Sequence, residues 1–166
     1  MSHHKKVIPI SSPAFGDGGG IPTQYTADGR NDSPPLEWGD PPAETRSFAL
    51  VCDDPDAPRG TFTHWVLWNL PHDIRTLGSA QPPAGSIDGG ARQGKNSFGR
   101  LGYGGPSPPP GPQHRYLFKL YALNTVLGLD GGATKDQLLE AIRNHVIGEG
   151  ILTGMYGRKA DGQVGH

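Results

Sequence analysis

Chemistry-capable side chains gather at two points of this chain. One is Asp54-Pro55-Asp56-Ala57-Pro58 with His64 shortly after; the other is His114-Arg115-Tyr116. Two imidazoles titrating near neutral pH can donate to phosphate or carboxylate oxygens, and a nearby anion favours their charged form. Tyr116 adds a neutral hydroxyl donor. Asp54 cannot hold an anion while ionised, but it can orient a histidine, take the amine of a zwitterionic head group, or share a proton with a ligand. The same residues leave other chemistries open. Asp54, His64 and His114 could serve a hydrolase as general bases, although no Ser or Cys stands in a recognisable nucleophile elbow. Two His and two Asp could ligate zinc or iron, but their spacing fits no familiar metal motif. An exposed loop could instead inhibit a protease or a kinase, and that role would not need the histidines.

The elements that must position these groups are strands. Ser47 to Cys52 is apolar on both faces and reads as a buried strand that runs directly into the aspartates. The X-Pro steps push Asp54 and Ala57 toward extended conformations, and Ala57–Pro58 is a candidate cis bond. Phe62 to Leu70 reads as the next strand, with Phe62, His64, Val66 and Trp68 expected on one face and Thr63, Trp65, Leu67 and Asn69 on the other. An apolar wall from Phe62, Trp65 or Trp68 would restrict a pocket to a small group. Downstream, a stiff Gly/Pro loop (102–113) leads into a strand with His114, Tyr116, Phe118 and Leu120 on one face and Arg115, Leu117, Lys119 and Tyr121 on the other. One helix is expected from Lys135 to about Ile147, with Thr134 as its cap, Gln137 at the capping-box position and Gly148 as its stop. Ile151 to Tyr156 reads as a last strand, and the tail from Arg158 as frayed.

Composition sets the frame for these elements. Glycine (26) and proline (17) make up about a quarter of the 166 residues, but dense apolar runs separate their clusters. An all-β single domain rich in turns follows, rather than disorder. The net charge is −1 with signs mixed, which excludes a nucleic-acid or anionic-membrane surface. Cys52 cannot form an internal disulfide and reads as a small buried hydrophobe. No apolar run approaches the ~20 residues of a membrane span, and the amino-terminal residues lack the apolar core of a signal peptide, so a cytoplasmic protein is expected. Gly89 to Asn96 nearly matches a phosphate-binding P-loop, but Asn96 replaces the metal-binding Ser/Thr and no buried strand precedes it.

Taken together, Asp54-Pro-Asp-Ala-Pro58, Thr63-His-Trp-Val-Leu-Trp-Asn69 and Gly105-Pro-Ser-Pro-Pro-Pro-Gly-Pro-Gln-His114-Arg-Tyr116 resemble the two signature regions of the phosphatidylethanolamine-binding protein family. Asn96 to Tyr103 and Gly154 to Arg158 resemble its bacterial and archaeal, Raf-kinase-inhibitor-like branch. The likeness runs from about Phe15 to Arg158. It implies two antiparallel sheets with Greek-key connections and a small anion pocket built from Asp54, Ala57, Pro58, His64, Gly105, Pro106, Pro108, His114 and Tyr116, with Asp56 beside it. The long C-terminal helix of animal members has no counterpart after Tyr156, so no pocket residue is carried over from it. The implied function is non-enzymatic binding of a small phosphorylated or anionic ligand without a cofactor or metal, with a kinase or protease as a conceivable regulated partner. The apolar helix stripe and the three tryptophans leave room for a homodimer.

Overall fold

The computed structural model describes residues 5–159; the tail beyond Lys159 and the first four residues lie outside it. The longest strands carry the densest apolar sequence. β5 (Ser47–Asp54), β6 (Phe62–Pro71), β9 (His114–Leu123) and β10 (Val146–Tyr156) form the centre of a seven-stranded sheet. Every residue of β5 is buried, because it lies between β6 and β9 with both faces covered. β8 (Arg92–Gln93) extends the sheet beyond β6, while β1 (Lys6–Val7) and β3 (Gly19–Gly20) both pair with β10. Across the sheet the order β9-β5-β6-β8 is a Greek key, the fourth strand returning to lie beside the first. All its ladders are antiparallel except the short pairings of β1 and β3 with β10, which are parallel.

A second sheet of three strands, β2 (Ile10–Ser11), β4 (Leu36–Trp38) and β7 (Thr76–Leu77), covers one face of the first. Between the sheets lies the main core, in which Phe48, Leu50, Trp65, Leu67, Phe118, Leu120 and Leu152 meet Ile10, Leu36, Trp38 and Leu77. The helix α1 (Lys135–Ile142) covers the other face, setting Leu138 and Ile142 against Ala49, Val51, Val66 and Trp68. All three tryptophans are buried, as are Leu138 and Ile142 of the helix.

Four local expectations are corrected. The capping box at Thr134 and Gln137 forms, but the helix ends at Ile142 rather than near Ile147. Asn144 takes a left-handed φ of 71°, and from Val146 the chain joins the ladder to β9. Backbone pairing along a long neighbour outweighs the helical spacing of the side chains. In β6 the register slips: Trp65 faces Cys52 while Thr63 faces Asp53, which leaves His64 as the extra residue of a bulge. The slip separates Thr63 from Trp65, which alternation puts on one face: Trp65 points into the main core with Leu67, as expected, while Thr63 shares the opposite face with Val66 and Trp68. No cis peptide occurs among the described residues, so Ala57–Pro58 is trans. Arg158 is not frayed; its guanidinium bonds both carboxylate oxygens of Asp28, at 3.0 and 2.7 Å.

Candidate functional site

β5, β6 and β9 end together at one edge of the large sheet, and their ends carry the titratable groups. There a cavity of about 140 Å³ is lined by Asp54, Ala57, Pro58, His64, Pro108, His114 and Tyr116 from the sequence-derived set, together with Phe62, Phe98, Ser107 and Pro109.

Each polar group is held from behind. The Asp54 carboxylate accepts the Asp56 backbone N–H at 2.8 Å on one oxygen and the His114 Nδ1–H at 2.6 Å on the other. The β-turn after Asp54 therefore closes on the carboxylate that orients His114. Of the three roles open to Asp54, positioning a histidine is the one its contacts display. His64, brought round by its bulge, directs Nδ1 at the Gly104 carbonyl, 2.5 Å away. A carbonyl only accepts, so that nitrogen carries the proton. In both rings Nε2 is the nitrogen left for a cavity ligand. Burial pushes the His64 imidazole below its ordinary value, against opposing pulls from the Gly104 carbonyl and Asp54. Burial thus favours the neutral imidazole at His64.

Tyr116 stands between the imidazoles, with ring centroids 5.2 Å from His64 and 6.5 Å from His114. It is 1% exposed, and its buried hydroxyl has no hydrogen-bond partner. Burial drives its phenol well above the usual tyrosine range, with Asp54 adding to the shift. The group is thus a neutral donor at any ordinary pH. A buried unpaired hydroxyl costs on the order of 1–3 kcal/mol, and Tyr116 is one of the residues lining the cavity.

Three of the sequence-derived residues do not line the cavity. Asp56 turns outward and accepts from the Arg115 backbone N–H and guanidinium. That partner draws its carboxyl down to about 2. Its position fixes the start of β9 rather than the cavity floor. Gly105 packs behind the wall, where its N–H donates to Asn31 Oδ1 at 2.8 Å and a Cβ would fall 2.5 Å from the Tyr25 carbonyl. Pro106 is buried alongside it, its carbonyl accepting from the Ala27 N–H. Of the expected apolar wall, Phe62 lines the cavity, whereas Trp65 and Trp68 are core residues.

Phe98 was missed. Its ring meets Phe62 edge-on at 4.7 Å and His64 at 5.6 Å. The available signal was Asn96-Ser-Phe-Gly99, in which an Asn two residues before an aromatic and a Gly after it can form a side-chain-capped turn. Arg158 was missed as well. Besides Asp28 it bonds the Pro108 carbonyl at 2.9 Å, tying the proline loop to the end of β10. Among the described residues no three His, Cys, Asp or Glu side chains gather to hold a metal, and no helix is long and apolar enough to cross a membrane. The near-P-loop stretch folds instead as a short 3₁₀ turn (Asp88–Gly90) and β8.

A two-sheet β scaffold with a small His-, Tyr- and Pro-rimmed cavity at its strand ends defines the class of this protein. The model of the phosphatidylethanolamine-binding protein family matches residues 11–157, and the chain belongs to that family. It is 52% identical over 149 residues to a UPF0098 protein of Methanothermobacter thermautotrophicus, covering 90% of this chain and 98% of the relative. A UPF0098 protein of Pyrococcus horikoshii is 44% identical, over 93% of this chain and 79% of the relative. Among solved structures, a phosphatidylethanolamine-binding protein homologue from Chlamydia trachomatis superposes with a TM-score of 0.84 at 38% identity, covering 93% of this chain and all of that one. Escherichia coli YbcL, described as a member of the mammalian family, superposes with a TM-score of 0.85 at 31% identity, covering 92% and 99%.

Proposed function

We propose that the cavity binds a small phosphorylated or otherwise anionic molecule without transforming it. The observation that carries this reading is the Tyr116 hydroxyl, buried without a partner between two imidazoles whose Nδ1 protons are already committed. An anion seated there would accept from Tyr116 and from protonated Nε2 of His64 and His114. Asp54 would stabilise the second imidazolium. The family description, phosphatidylethanolamine-binding, is consistent with a phosphoryl group in this place. Regulation of a kinase or protease partner belongs to the same proposal as a consequence of occupancy.

The hydrolase alternative shares the Asp54–His114 pair, but Cys52 cannot serve it as a nucleophile. Cys52 is buried, with burial pushing its thiol well above the usual range. Titrating the labelled full chain with inorganic phosphate while following the ¹H–¹⁵N signals of both side chains tests binding. Both rings should shift and saturate together. Signals that stay put, or that move at one ring only, would refute a shared anion site.

A further inference from the structure

What His64 can offer the cavity depends on its other nitrogen. Nδ1–H is held by the Gly104 carbonyl at 2.5 Å, and the Gly104 N–H returns a bond to the His64 carbonyl at 2.9 Å. The carbonyl of Gly104 and the N–H of Gly105 belong to one planar peptide group and point in opposite directions. That N–H donates to Asn31 Oδ1 at 2.8 Å. Asn31, the Gly104–Gly105 peptide and the His64 imidazole therefore form one chain of hydrogen bonds, leading from an exposed residue to the cavity. In such a chain each bond polarises the next, strengthening it by ~10–30%. An acceptor on the Gly105 N–H makes the Gly104 oxygen more negative, and so a better holder of the Nδ1 proton.

Several features serve this arrangement. Asn31 stands at a left-handed φ of 61°, a backbone conformation that asparagine tolerates better than most residues. Its carboxamide belongs to an exposed residue and could face water, yet it turns to the Gly105 N–H. Position 105 is glycine, and a Cβ there would lie 2.5 Å from Asn31 Oδ1, so a larger residue would push the acceptor away. The two segments are also tied on either side of this bond. Tyr103 Oη donates to the Tyr25 carbonyl at 2.6 Å, and the Ala27 N–H to the Pro106 carbonyl at 3.0 Å. Of these three ties, only the one from Asn31 engages the peptide that faces His64.

We propose that Asn31 is a positioning residue for His64: through the Gly104–Gly105 peptide it keeps the ring proton on Nδ1 and leaves Nε2 to the cavity. Its consequence for a ligand rests on the anion-binding reading above, whereas its effect on the ring does not. The titratable groups acting on that ring are Asp54, Asp53 and Tyr116, and changes at position 31 alter none of them. Long-range ¹H–¹⁵N spectra of the full chain at pH 8 distinguish the two tautomers, because burial lowers the ring's pKa and leaves it neutral there. The unaltered chain should show Nδ1–H. Asn31→Gly suits the left-handed φ and removes the acceptor. In it the tautomer ratio should move toward Nε2–H by about threefold or more, and inorganic phosphate affinity at pH 7 should fall by a similar factor. Asn31→Asp retains an oxygen in place and should keep the proton on Nδ1. Tyr103→Phe loosens the same two segments without touching the peptide and should leave both readouts as they were. Circular dichroism checks that each variant is folded. An Nε2–H ring in the unaltered chain, loss of the Nδ1 proton in Asn31→Asp, an unmoved ratio in Asn31→Gly, or an equal shift in Tyr103→Phe would overturn the proposal. Phosphate that fails to bind the unaltered chain would sink the anion-binding reading, and the tautomer result would still decide the role of Asn31.

Discussion

Replacing Tyr116 by Phe should raise stability and weaken binding at once, a combination that a purely structural tyrosine would not give. The hydroxyl is buried, unpartnered and attached to a ring 1% exposed on β9. Deleting it removes a desolvated donor that no neighbouring protein group satisfies, a cost on the order of 1–3 kcal/mol. The lower end applies because Tyr116 lines a cavity rather than the closed core, so a gain of about 1 kcal/mol is expected, or a rise in Tm of about 2–4 °C for a chain of this size. In the complex the same hydroxyl would donate to a charged oxygen, worth about 1.5–3 kcal/mol, so phosphate affinity should fall by tenfold or more, roughly. Tyr156 supplies the control. It is also buried, but its hydroxyl donates to Asp28 at 2.6 Å. Tyr156→Phe should therefore lower Tm and leave phosphate binding nearly unchanged. Scanning calorimetry and isothermal titration on the three proteins read both quantities. A lower Tm for Tyr116→Phe than for the unaltered chain, or undiminished phosphate affinity, would refute the reasoning.

Other outcomes follow from the same geometry. Since burial lowers the His64 pKa, the unfolded chain binds the proton more readily, and stability should decline as pH falls below about 6.5. Phosphate binding should strengthen over that fall, by up to about tenfold per pH unit for one proton taken up, until the free ring itself is charged; pH-independent affinity in calorimetry would contradict proton-linked binding. Gly105→Ala drives a Cβ to 2.5 Å from the Tyr25 carbonyl and Asn31 Oδ1 and should cost about 1–3 kcal/mol in denaturant unfolding, whereas a loss under about 0.5 would show that the wall yields. Arg158→Ala frees the Pro108 carbonyl and Asp28. Amide exchange at Gly111, whose N–H donates to the Arg158 carbonyl, should quicken if the side chain holds the loop, and remain as it was if the backbone pairing suffices.

What the sequence discloses here follows how local each cause is. Alternation along β9 predicts which residues are buried, because β5 keeps an unbroken register with it and β10 does so from Gly148 to Tyr156. The helix cap is equally local. The bulge at His64 is not, since it depends on how β6 meets β5, and nothing in Phe62 to Leu70 distinguishes a regular strand from one that slips. Thr63 lies opposite Trp65 for that reason, while Trp65 with Leu67 and Val66 with Trp68 keep the faces that alternation predicts. The helix end was misjudged because the pairing partner of Val146 is Leu123, more than twenty residues earlier. Phe98 lines the cavity and Arg158 ties down its proline loop through contacts between distant segments, which periodicity does not encode. The motif Asp54-Pro-Asp-Ala-Pro58 pointed to the right turn, yet its second carboxylate faces outward because Arg115 provides a better partner than the cavity does.

The end of β5 shows how one strand tip serves two sides of the molecule. Asp54 faces His114, while its neighbour Asp53 is 1% exposed on the opposite face and receives Thr63 Oγ1 at 2.8 Å and Lys135 Nζ at 2.7 Å. Removing one residue from the middle of β5 would turn each aspartate to the other face of the sheet: the helix anchor would face the imidazole's side and the imidazole's partner would face the lysines. Chain-length drift should therefore be accepted in the turn beyond Asp56 and rejected within the strand, a bias that the family's insertions and deletions would record.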